Sequence, residues 1–206
     1  MTGERRSGGA PDIERLRRDI EFTERLRGHE LHFRSRWGLF SPRGVDEGTR
    51  LLLDQLQVGP ADDCLDLGCG YGPLGLVMAR LAPQGQTMLV DRDFIAVEYA
   101  QRNAELNGIE NCQALLSDGF SHLPAGQRFN VVASNLPAKV GNEAYYILFA
   151  DARDHLADGG RLYVVTLSGM RRFIQRAFTE LFGNYEKLKQ GRTHTVSLAI
   201  RAPRSG

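Results

Sequence analysis

The chain has 206 residues, 42% hydrophobic and 25% charged, with 26 basic against 25 acidic side chains and a net charge of +1. This length and composition point to one globular domain with a short appendage; they exclude wholesale disorder and a polycationic nucleic-acid coat, so any nucleic-acid contact must be a local patch. No apolar run is long enough to cross a bilayer, and Cys64, Cys69 and Cys112 lack the paired spacing of a disulfide framework or a zinc cage.

Met1 to Pro11 is polar, lacks the apolar core of a signal peptide and reads as a flexible leader. With reduced thiols, this sets the expectation of a cytoplasmic protein without membrane or metal partners. From Asp12 to about Leu26, apolar residues at 13, 16, 20 and 26 follow a helical period, with Asp12 as its cap. Glu30 to Trp37 alternates like a strand with Leu31, Phe33 and Ser35 on one face, and Asp46 to Leu56 reads as a helix. From Cys64 onward, strands at 64–67, 87–90, 113–116, 131–134 and 162–166 alternate with helices at 74–81, 94–107, 143–156 and 170–181. Such alternation predicts an α/β fold, a mostly parallel sheet with helices on both faces. Tyr185 to Lys189 and His194 to Arg201 form a hairpin around Gln190 to Arg192, which adds one antiparallel strand at the edge.

The segment from Leu65 to Gly75 is a strand, a glycine-rich turn and a helix start. Glycines there admit positive φ and let a ligand approach the backbone, at the amino end of a helix. Gly70, Gly72 and Gly75 match a dinucleotide fingerprint, but Asp66 stands two residues before Gly68 inside the motif. A carboxylate in that register suits the cationic amino-acid end of S-adenosylmethionine (SAM) better than a pyrophosphate. Asp91 closes the next strand, at the interval where an acid grips ribose hydroxyls; the competing role is a helix cap. Asp118 closes the third strand, as an adenine contact or as a turn former. Cys69 is a small filler of the loop.

These residues, with Leu156 to Leu162, resemble class I SAM-dependent methyltransferases; Gly38 to Leu53 resembles the lead-in of the methyltransferase small domain, found in RsmC-type 16S rRNA guanine-N2 methyltransferases. The resemblance spans about Leu31 to Arg201. It implies a Rossmann-like, seven-stranded sheet with a final hairpin and SAM as cofactor. After the leader at 1–11, the chain is then expected to divide into an extension with lead-in at 12–60 and a SAM-binding domain at 61–206. The family's Asn-Pro-Pro-aromatic motif falls on Asn135, Leu136, Pro137 and Ala138, where Leu136 replaces the first proline and Ala138 the aromatic. The resemblance makes Asn135, Leu136 and Pro137 the catalytic segment, and RNA the substrate.

Asn135 has the competing role of a turn former, and Asp46 reads first as a helix cap. Phe40 either closes over the cofactor or belongs to the core. Trp37 beside Arg34, Arg36 and Arg43 offers stacking plus phosphate-binding charge, or is a half-buried aromatic among solvated arginines. Two other functions stay open at this level: methylation of a protein glutamine or a small-molecule amine, and SAM binding without catalysis.

Overall fold

The computed structural model describes residues 12–137 and 140–203. The leader expected at 1–11 lies outside them.

The amino-terminal region departs from the helical expectation. Helix α1 covers only Ile13–Arg17, with the Asp12 carboxylate accepting the Arg15 N–H at 3.1 Å. The chain then turns into β1 (Ile20–Leu26), which pairs antiparallel with β2 (His29–Ser35). Arg27 and Gly28 close this hairpin with φ of 50° and 86°, the twist that a two-residue connection needs. The expected inward face of β2 is found: Leu31, Phe33 and Ser35 are fully buried.

Helix α2 (Glu47–Gln55) leads into the main sheet, formed by β3 (Cys64–Leu67), β4 (Thr87–Asp91), β5 (Cys112–Leu116), β6 (Phe129–Asn135), β7 (Leu156–Leu167), β8 (Glu186–Gln190) and β9 (His194–Ile200). The remaining helices are α3 (Pro73–Leu81), α4 (Phe94–Leu106), α5 (Asn142–His155) and α6 (Arg171–Phe182). The strand order is β5-β4-β3-β6-β7-β9-β8. Pairings from β5 through β7 are parallel, while β9 runs antiparallel to both β7 and β8. The antiparallel strand therefore lies inside the sheet, and β8 forms the edge that the sequence reading gave to the last strand.

Successive side chains of the buried strands serve opposite cores, as the pleat dictates. Cys64, Val131, Tyr163 and Val165 face α2, α3, α4 and the hairpin residues Leu31 and Phe33. Leu65, Val132, Leu162 and Val164 face α5 and α6. Sequence order reverses between β3 and β6: the chain builds outward through β4 and β5, then returns to β6 on the other side of β3. A crevice opens beyond the carboxyl ends of the strands at such a reversal.

Candidate active site

At that reversal β3 runs into the glycine turn. The N–H groups of Gly68 and Cys69 both donate to the Val90 carbonyl, at 2.9 and 3.0 Å, locking the turn to the end of β4. Gly68, Gly70 and Gly72 all have positive φ, at 79°, 55° and 96°. At Gly68 and Gly70 the space a Cβ would enter is open to 4 Å, so the turn presents bare backbone. Gly72 then caps α3, with Pro73 at its first position. Gly75 is constrained differently. A Cβ there would come within 2.4 Å of Leu89 on β4, so α3 sits against the sheet only because this side chain is missing.

The three acids predicted for the cofactor occupy three different environments. Asp66 is 1% exposed and accepts the Gly75 N–H at 2.7 Å. Burial pushes its carboxyl up to about 7; the Asp91 charge adds to this and the Gly75 hydrogen bond opposes it. Asp91 is partly exposed, and its carboxylate accepts the N–H of Gly70 at 3.0 Å and of Asp93 at 2.9 Å. The cap of α4 is Asp93, which accepts from the Ile95 N–H, so the capping alternative for Asp91 falls to its neighbour. Asp118 is exposed, and its carbonyl accepts the Ser121 N–H in a turn. Cys69 is buried, and desolvation holds its thiol well above the ordinary range, which leaves it inert as a nucleophile at neutral pH.

Asn135 ends β6 across the crevice from the glycine turn. Its side-chain nitrogen donates to both oxygens of Asp46, at 3.0 and 3.2 Å, and to the Thr49 hydroxyl at 2.9 Å. A carboxylate can only accept, so the NH₂ end must face Asp46 and the amide oxygen must face away. Asp46 also caps α2, accepting from the N–H groups of Gly48 and Thr49 and from the Thr49 hydroxyl at 2.5 Å. The capping role read from the sequence is present; the grip on Asn135 had no local signal, since the partners lie 89 positions apart. Leu136 is 7% exposed and donates its N–H to Val165 at 3.1 Å. Its carbonyl accepts no backbone hydrogen bond among the described residues. Pro137 is exposed, and its carbonyl accepts the Tyr145 hydroxyl. Ala138 and Lys139 lie outside the described residues.

The lead-in segment crosses between these two halves. Leu39 and Val45 are buried, the Ser41 carbonyl accepts the Tyr71 hydroxyl of the glycine turn at 3.2 Å, and Asp46 reaches Asn135. Phe40 is 68% exposed, which removes it from the core. Two further exposed apolar residues, Phe94 at the start of α4 and Leu116 at the end of β5, lie at the carboxyl ends of adjacent strands. No acid-base or glycine pattern marks them in the sequence. Bare turn backbone, a braced Asp91 and apolar side chains at neighbouring strand ends together fit a nucleoside carrying a charged tail.

The methyltransferase small domain model matches residues 30–197. YbxB of Bacillus subtilis (strain 168) is 37% identical over 142 residues, 68% of this chain and 71% of that protein. The ribosomal RNA small subunit methyltransferase C of Pseudomonas syringae pv. syringae is 33% identical over 80% of this chain and 49% of its own length. Among solved structures, the T. thermophilus 16S rRNA N2 G1207 methyltransferase RsmC, in complex with AdoMet and guanosine, superposes with a TM-score of 0.81 at 29% identity. That match covers 89% of this chain and 50% of RsmC, so the chain spans about half the length of these rRNA methyltransferases. The chain belongs to the methyltransferase small domain family and carries its class I, SAM-dependent methyltransferase fold.

Proposed function

We propose that this chain methylates an exocyclic amine of RNA, with guanine N2 of 16S ribosomal RNA as the preferred target. One observation carries the reading: the Asn135 amide is held by Asp46 and Thr49 with its oxygen turned away from them. Gly68, Gly70 and Gly72 would hold the SAM tail along bare backbone, and Asp66, buried beneath, braces that turn through Gly75. Asp91 would take the ribose hydroxyls on its remaining lone pairs, with Asp118 beside the adenine and Phe40 closing over it. SAM, when bound, supplies a methyl group already activated by its sulfonium charge.

The chain's own residues then have to prepare the nucleophile. The nitrogen lone pair of an aromatic amine is delocalised into its ring. The Asn135 amide oxygen and the Leu136 carbonyl accept the two N–H bonds, which draws the nitrogen toward tetrahedral geometry and aims its lone pair. Alignment of this kind contributes several kcal/mol, on the order of the orientation effects of bound reactants. The proton leaves to solvent after transfer, so no histidine is needed. Support for an RNA target comes from the relatives, one named for small-subunit ribosomal RNA and the T. thermophilus RsmC for 16S rRNA.

The test is transfer of labelled methyl from SAM to small ribosomal subunits or 16S rRNA lacking guanine-N2 methylation. Incorporation into N2-methylguanosine is expected; none, beside an active control enzyme, overturns the RNA reading. Asn135→Ala is expected to lower turnover on the order of a hundredfold, the usual effect of deleting one aligned polar group, with SAM affinity kept. Normal turnover in that variant removes the role assigned to Asn135.

A further inference from the structure

We propose that the arch from Arg36 to Gly44 is a stacking platform for the RNA strand beside the target base, with Trp37 and Arg43 as a composite base-and-phosphate subsite. The proposal rests on RNA being the substrate, and it adds where the strand lies and which residues hold it.

The charge is local. Residues 31–45 contain three arginines and no Asp or Glu, in a chain whose 26 basic and 25 acidic residues nearly balance as a whole. Arg34 is paired with Glu21 at 3.0 Å. Among the described residues, neither Arg36 nor Arg43 takes part in an ion pair. Arg43 instead lies over the Trp37 ring, its guanidinium carbon 4.5 Å from the centroid. Trp37 remains 40% exposed, and Arg43 is exposed as well. An indole and a guanidinium are both flat surfaces on which any base can stack, and the guanidinium N–H groups left over suit a phosphate.

The arch is built rather than loose. Buried Leu39 and Val45 anchor its inner side, the Leu39 N–H closes a turn onto the Arg36 carbonyl at 3.2 Å, and the Ser41 hydroxyl donates to the Gly44 carbonyl at 2.6 Å. Ser41 is tied to Tyr71 of the glycine turn, and Asp46, just past the arch, holds Asn135. Tied to the glycine turn through Ser41 and followed directly by the Asp46 grip on Asn135, the arch presents Trp37 and Arg43 already ordered, which lowers the cost of binding. Its position between the glycine turn and Asn135 places the platform next to the proposed reacting centre. A lipid surface is the weaker match, since an interfacial anchor needs a broad apolar face and the outward set here is two aromatics among arginines.

Trp37 is the one tryptophan of the chain, so intrinsic tryptophan emission reports on this arch alone. The full chain is titrated with a short unstructured oligoribonucleotide, unlabelled for emission and end-labelled for anisotropy. Emission is expected to be quenched as the strand binds. Arg36→Ala and Arg43→Ala are each expected to reduce the slope of log affinity against log salt by about 0.7, the value for one phosphate on a single strand. Trp37→Ala is expected to weaken binding roughly tenfold and Trp37→Phe to recover most of it, because any aromatic face stacks. Unchanged SAM affinity in each variant reports an intact fold. Binding that leaves emission and the Arg43→Ala slope unaltered overturns the platform, as does an emission change with anionic phosphatidylserine vesicles and none with RNA. If Trp37→Ala methylates rRNA with unchanged KM, the platform falls and the proposed reaction stands. If the oligonucleotide quenches Trp37 while no RNA is ever methylated, the reaction falls and with it the platform's place beside a target base, leaving only an RNA-binding surface.

Discussion

Asp46 serves two neighbours with one carboxylate, capping α2 through Gly48 and Thr49 and fixing the Asn135 amide. The two roles separate by substitution. Asn is as good a cap as Asp, so Asp46→Asn keeps the helix start. It brings a second NH₂ group toward the Asn135 NH₂, however, and two donors cannot pair. Asp46→Asn is expected to lower kcat on the order of tenfold, an orientation loss, with the KM for SAM and the melting temperature nearly unchanged. Asp46→Ala adds loss of the cap, about 1 kcal/mol of stability. Steady-state kinetics beside thermal melts make the comparison, and wild-type kcat in Asp46→Asn would show that the grip on Asn135 does not matter. At this scale the sequence yields residue types and spacing along one strand. It showed Asn135 and Asp46 separately; that they touch depends on the return of β6 beside β3, which no local pattern encodes.

Between elements, the most specific fit joins the β1–β2 hairpin to α4. Asn103 accepts the Arg34 N–H at 2.8 Å and donates to the Arg34 carbonyl at 2.9 Å. One turn later, Asn107 does the same for His32, at 2.9 and 2.7 Å. Two amide side chains, one on α4 and one at its C-cap, thus stand in for the next strand along β2. Asn103 is fully buried and also donates to the Tyr71 carbonyl at 2.9 Å, linking the hairpin to the glycine turn. Asn103→Ala leaves the Arg34 N–H and the Tyr71 carbonyl without this partner and is expected to cost about 3 kcal/mol in denaturant unfolding, against about 1 for the more exposed Asn107→Ala. Equal, small losses at both positions would remove the strand-mimic account. The hairpin itself was hidden by its chemistry. Glu24 sits on the inward alternation of β1, held by Arg50 at 2.5 Å, so the period of two shows an acid where an apolar residue is expected. Arg27 takes a positive φ that usually signals Asn or Gly, and its guanidinium is occupied by the Leu53 and Leu56 carbonyls at the end of α2. Ile13, Leu16 and Ile20 then mimic a helical stripe across an α–β junction.

For the whole molecule, the alternation after Cys64 made the α/β class readable, and burial explains the one strand it misplaced. β9 has an almost unbroken run of buried residues, the mark of an interior strand, while β8 (Glu186–Gln190) shows charge at nearly every second position, the mark of a protected edge. The same enclosure sets the state of Asp66, whose place was legible in the motif and whose proton was not. The folded chain holds that proton up to about pH 7, against 3.8 for the ordinary carboxyl. Between those values the folded state binds more protons than the unfolded one, so stability from this group is present below 3.8 and is lost as pH rises through 7. Exposed acids also titrate across that range, and Asp66→Asn isolates the one that matters, because Asn still accepts from Gly75 and carries no charge. The unfolding free energy of wild type minus that of Asp66→Asn is expected to fall from pH 4 to 7, by at most about 1.4 kcal/mol per pH unit, and to level off above. Urea unfolding of both proteins at each pH measures it. A difference that stays flat, or that rises with pH, would mean that Asp66 is ionised in the fold throughout, with its charge neutralised by the turn it braces.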